Sequence, residues 1–124
     1  MVLTAGLSTR PFRGVHSIPE VTCTGSPLPP DTHVFALALF SLPGHRKLAY
    51  VNVASEECST TDVYTACVID RQDSRRSRLV ALVCDLQEGD WRLYGCNVTG
   101  FRSGDTFVTS WSLPVHYPSR CIIS

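Results

Sequence analysis

Six cysteines, one Asn-x-Thr triplet and a run of arginines are the residues of this chain whose types and spacing could do chemistry. Cys23, Cys58, Cys67, Cys84, Cys96 and Cys121 are an even and high count for 124 residues. Such a count favours disulfides and an oxidising compartment. No two of them form a C-x-x-C, and His16, His33, His45 and His116 are scattered without zinc-ligand spacing, so neither a metal centre nor another cofactor is expected. The terminal "CIIS" matches a prenylation box, but no polybasic run precedes it and Cys121 makes the cysteine count even. Cys121 is therefore read with the disulfides.

Asn97-Val98-Thr99 is an N-glycosylation sequon, and Asn97, following an inward Cys96, is expected to point outward. In "SRRSR", Arg75, Arg76 and Arg78 could meet a sulfated glycan or an acidic partner; the competing reading is a solvated turn. "GFRSGD" reads as a loop in which Phe101 and Arg102 are the residue types of interface hot spots. Its competing reading folds Phe101 back over the end of a sheet. "SPLPPDTH" reads as a second loop, stiffened by its prolines. No nucleophile elbow, H-E-x-x-H or phosphate loop occurs, so an enzyme is not expected.

These residues need a scaffold, and the bulk composition limits what it can be. One chain of 124 residues supports a single domain over residues 1–124, with a short C-terminal tail from about residue 116. A hydrophobic fraction of 44% is too high for disorder. Eleven basic residues balance eleven acidic ones, which argues against nucleic acid and anionic membranes as partners. The longest apolar run, "HVFALALF", has the length of a strand, so membrane insertion is not expected. "MVLTAGLSTRPFRGV" lacks the form of a signal peptide.

Helical periodicity is nearly absent. Runs rich in Val, Thr, Phe and Tyr recur instead, at 2–7, 20–25, 33–42, 48–54, 62–70, 78–86, 92–99 and 106–115. The intervening segments, including "SEECST" and "RQDSRRS", have turn compositions. Seven or eight short strands at this spacing predict an all-β sandwich or barrel.

The stretch "DLQEGDWRLYGCNVTG" sharpens the reading. Tyr94 and Cys96 stand two apart, so in a strand they share a face, and a buried tyrosine there must satisfy its hydroxyl. Asp90 can accept hydrogen bonds in the corner before them. Together, "EVTCTG", "RLVALVCDL", "EGDWRLYGC" and "DTFVTSWSLPV" resemble strands B, E, F and G of the immunoglobulin superfamily, over roughly residues 2–115. That resemblance implies an immunoglobulin-like two-sheet antiparallel β-sandwich of seven to nine strands. It further implies a Cys23–Cys96 inter-sheet disulfide, with Tyr94 as the corner tyrosine. Arg92 departs from the signature's glycine. The strand-C segment has no tryptophan, so Phe35 or Leu37 would cover the disulfide, while Trp91 and Trp111 lie elsewhere.

Within such a sandwich Cys67 and Cys84 are centred between Arg75 and Arg76, inside the supposed hairpin turn, and are expected to pair. Cys58–Cys121 would then staple the tail. Six cysteines allow fifteen pairings, and a rival set contains Cys58–Cys67. The expected function is an extracellular recognition or adhesion module, with an immune role among its readings. It would be secreted or part of a cell-surface ectodomain, and bind a protein or glycan non-covalently. The alternative is a stand-alone secreted disulfide-rich effector, toxin or inhibitor with a β-sandwich fold.

Overall fold

A computed structural model describes residues 5–12, 15–42, 44, 46–60, 65–83 and 91–116. Within them the chain forms β1 (Leu7–Phe12), β2 (Val15–Thr24), β3 (His33–Leu42), β4 (Arg46–Asn52), β5 (Glu57–Thr60), β6 (Thr65–Val68), β7 (Arg78–Leu82), β8 (Trp91–Arg102) and β9 (Asp105–His116). No α-helix occurs among the described residues; Ser74–Arg76 form a single 3-10 turn. The strands make two antiparallel sheets, in the orders β1-β2-β7-β6 and β5-β4-β3-β8-β9. The protein is an all-β sandwich.

Period-two alternation explains which side chains fill it. Val21 and Cys23 of β2 and Leu79 and Ala81 of β7 face Leu37 and Leu39 of β3, Ala49 and Val51 of β4, and Tyr94, Cys96 and Val98 of β8. Most of these are fully buried, giving one continuous core between the sheets. Leu37 takes the core position in β3. Phe35 does not: a bulge between Val34 and Ala36 turns it out, and it stays 38% exposed.

Among the described residues two disulfides tie the sheets together. Cys23 of β2 and Cys96 of β8 bond through the centre of the core, with Cα atoms 5.5 Å apart. Cys58 of β5 and Cys67 of β6 bond at one lateral margin, with Cα atoms 6.1 Å apart. The second bond corrects the expected Cys67–Cys84 and Cys58–Cys121 pairs. The β6–β7 register sets Cys67 opposite Leu79 and Val68 opposite Arg78, so the hairpin is centred on Asp73. Leu79 is a core residue, and Cys67 beside it turns into the inter-sheet space. Cys58 arrives there from opposite Val51, also a core residue. Cys84, Cys121 and Asp90 lie outside the described residues.

At the opposite margin the two sheets meet over Gly6. Its carbonyl accepts from Thr24 N at 2.7 Å and lies 3.7 Å from Cys96 Sγ. A Cβ on Gly6 would collide with the Thr24 carbonyl and with the Trp111 indole of β9. Only glycine permits that approach.

Candidate functional site

Three connections gather at one end of the sandwich: residues 25–32 between β2 and β3, residues 69–77 between β6 and β7, and the β8–β9 hairpin. Side-chain contacts knit them together. Segment 69–77 is a packed plug rather than a simple hairpin turn. Asp70 Oδ1 accepts from Gln72 N and Asp73 N, each at 2.9 Å, and Asp73 caps the 3-10 turn by accepting from Arg75 N. Ser74 Oγ accepts from Val34 N at 2.9 Å, where β3 begins. Thr24 Oγ1, at the end of β2, donates to the Ser77 carbonyl at 2.9 Å. Ser77 is fully buried, and its Oγ accepts from Asp70 N.

This plug absorbs Arg75, one of the three arginines of "SRRSR" expected to meet a partner. The Arg75 guanidinium grips Asp73 with two parallel bonds, Nε to Oδ1 at 3.1 Å and Nη2 to Oδ2 at 2.7 Å. Its Nη1 donates to the Leu28 carbonyl at 2.8 Å. The hydrogen bond from Arg75 holds the Asp73 carboxyl below the ordinary carboxylate range, and the same bond raises the Arg75 guanidinium. Arg75 therefore braces one loop against another. Arg76, with 71% of its side chain exposed and Asp73 at 3.7 Å, faces outward and is available to a partner.

The β8–β9 connection is shorter than expected. Gly100, Phe101 and Arg102 continue β8, and only Ser103 and Gly104 form the turn, at φ 54° and 87°. Two successive positive φ values define the hairpin turn whose twist matches its strands. Phe101 and Arg102 are thus strand residues facing opposite ways. Phe101, 36% exposed, shares the outer side of the five-stranded sheet with Asn97 and Thr99. Arg102 faces the first loop, where Nε donates to Asp31 Oδ1 at 2.9 Å. That hydrogen bond lowers the Asp31 carboxyl.

Between the first loop and the hairpin lies a groove of about 410 Å³, bordered by Leu28, Pro29 and Thr32 on one side and Arg102, Ser103 and Phe107 on the other. Its volume falls within the usual range for ligand sites, about 300–1,000 Å³. Thr32 is buried, and among the described residues its Oγ1 is the one buried side-chain polar atom without a hydrogen-bond partner. Neither Asp31 nor Thr32 stood out in the sequence. The only available signal was their place in a proline-stiffened loop.

The other expected site residues are dispersed. Tyr94 is fully buried, and the corner that it would brace lies outside the described residues. Asn97 points out from the five-stranded sheet, on the opposite face from the β9 residues Phe107 and Thr109 that line the groove. Among the described residues no group of three or more His, Cys, Asp and Glu could hold a metal ion, and no helix is long and apolar enough to cross a membrane. No protein-family model and no curated protein matches the chain.

Proposed function

We propose that this chain is an extracellular recognition module of the immunoglobulin superfamily, which binds a protein or glycan partner at the end formed by residues 25–32, 69–77 and the β8–β9 hairpin. The family assignment draws support from the strand orders, β1-β2-β7-β6 and β5-β4-β3-β8-β9. They match the superfamily's variable-type arrangement, in which two extra strands extend the sheet that carries the disulfide's second cysteine. A Cys23–Cys96 bond between the sheets, with Tyr94 two residues before Cys96, adds to that support. Two disulfides suit an oxidising compartment.

The observation that carries the binding reading is the groove whose rim is the Arg102–Asp31 pair. A concave, mostly apolar surface beside a half-exposed guanidinium is how recognition sites combine burial with orientation. Arg102 and Arg76 would supply the polar contacts, and Phe101, on the outer side of the same hairpin, an aromatic contact beyond the groove.

The test uses multimerised, oxidised protein screened against cell-surface ectodomains and a glycan array. The expected result is specific binding that Arg102→Glu weakens at least tenfold, about 1.4 kcal/mol of binding free energy, with the folded sandwich retained. Binding that ignores Arg102→Glu, Arg76→Glu and Phe101→Ala alike would overturn the assignment of the site.

A further inference from the structure

The outer face of the five-stranded sheet holds a second feature that the groove does not use. Cys96 and Val98 are fully buried, so Asn97 and Thr99 of the sequon stand on the side facing away from the core. Asn97 sits between Ala38 of β3 and Ser110 of β9. Ser110 Oγ donates to Asn97 Oδ1 at 2.7 Å. The Nδ2 atom, where an N-linked sugar attaches, has no hydrogen bond among the described residues.

One step along the same face, Gly95 leaves a depression of about 260 Å³. A side chain at this position would start to fill it, its Cβ meeting Leu42 Cδ1 at 3.2 Å. Phe40 and Leu42 wall the depression on the β3 side, and Ser110 and Ser112 on the β9 side. One wall is apolar and the other carries hydroxyls. A pyranose ring has the matching pair of surfaces, a C–H face and a rim of hydroxyls. The outward residues of β8 and β9 beside Asn97, which are Leu93, Gly95, Thr99, Val108, Ser110 and Ser112, are uncharged, and Lys47, opposite Phe40 on β4, is drawn over the Tyr50 ring at 5.1 Å. An uncharged occupant fits. The surrounding face is apolar and open, with Leu93 39% and Val108 65% exposed.

We propose that Asn97 carries an N-linked glycan whose first sugar seats over Gly95, between Phe40 and Leu42 on one side and Ser110 and Ser112 on the other, and closes this face of the sheet. The sugar covers apolar surface that would otherwise invite self-association. It also leaves the loop end as the recognition surface. The inference rests on the extracellular reading, because only a chain that enters the secretory pathway meets the glycosylation machinery.

The test begins with the full chain secreted from a eukaryotic host. Non-reducing peptide mapping reads both the disulfides and the occupancy of Asn97. Attached glycan, released by peptide-N-glycosidase after denaturation with conversion of Asn97 to Asp, is the expected result. Oxidised cysteines with an unmodified Asn97 would overturn this inference and leave the extracellular reading standing. Free Cys23 and Cys96 would overturn both.

Seating is read separately, on folded protein. Phe40→Ser removes the apolar wall while keeping the sequon, and should speed enzymatic release of the glycan about tenfold, the ratio expected for 1.4 kcal/mol of lost contact. Thr99→Ala removes the glycan but keeps the Asn97–Ser110 hydrogen bond, and should increase dye binding and self-association of the folded domain. Equal release rates for Phe40→Ser and the parent, with Thr99→Ala remaining monomeric and dye-silent, would show an attached but unseated glycan and overturn the proposal.

Discussion

Cys58 and Cys67 join the outermost strand of one sheet to the outermost strand of the other, nine residues apart in sequence. Cys23 and Cys96 join the middles of the same two sheets across 73 residues. The two bonds constrain the unfolded chain very differently, since closing a longer loop costs it more entropy.

Removing each pair by alanine substitution should separate them. Loss of Cys23–Cys96 is expected to cost about 4 kcal/mol or more, and loss of Cys58–Cys67 about 2–3 kcal/mol. Urea or guanidinium unfolding of the two double variants checks the order. A larger loss for the Cys58/Cys67 variant would mean that the lateral bond holds β5 and β6 in place rather than acting mainly through the unfolded chain.

Arg75 and Arg76 are adjacent but do different things. Arg75→Ala unpairs the Leu28 carbonyl and frees Asp73, so it should lower Tm and quicken hydrogen exchange across residues 25–32 and 69–77. Arg76→Ala should leave both unchanged and reduce only binding. Thermal unfolding and exchange mass spectrometry of the two variants test the distinction.

Acid should loosen the loop end first. Asp31 and Asp73 are both held below their ordinary values by arginine hydrogen bonds. A carboxyl lowered in the folded state stabilises it fully above the unfolded-state value, about 3.9, and loses that contribution as pH falls through the lower folded value. Exchange protection of residues 25–32 and 69–77 should therefore hold from neutrality to about pH 5 and decline below about pH 4. Asp31→Asn should remove the part that belongs to the Arg102 contact.

Gly6→Ala places a methyl group against the Thr24 carbonyl and the Trp111 ring. The carbonyl is backbone and has little room to yield. A loss of about 1–3 kcal/mol is expected, the usual cost of overpacking, with a change in Trp111 fluorescence. An unchanged spectrum and midpoint would mean that β1 shifts freely over β9.

What the sequence made legible follows from how each segment is buried. β3 runs from His33 to Leu42, as its apolar pattern predicts, because it is central in its sheet and packs on the core throughout. β5 was hidden because all four of its residues are exposed at an edge, where no apolar alternation is required. β1 lies later than the strand expected at 2–7 for a related reason. Past Leu7 it is an edge strand carrying Pro11, a residue that edges tolerate. Phe101 and Arg102 read as loop residues because glycines flank them, yet a two-residue turn lets both strands run further. Pairing of Cys67 depended on a hairpin centre a few residues away from the apparent one, within a segment closed by the Asp70–Ser77 hydrogen bond that no local pattern announces.

The two-residue turn at Ser103 and Gly104 also bears on kinetics. Arg102 and Asp105 already pair across the hairpin, so no mobile segment must settle before contact there. A partner docking at this end meets a surface preset in shape, and encounter is governed by orientation and charge rather than by rearrangement. Ligands of different strength would then arrive at similar rates and differ in how long they stay.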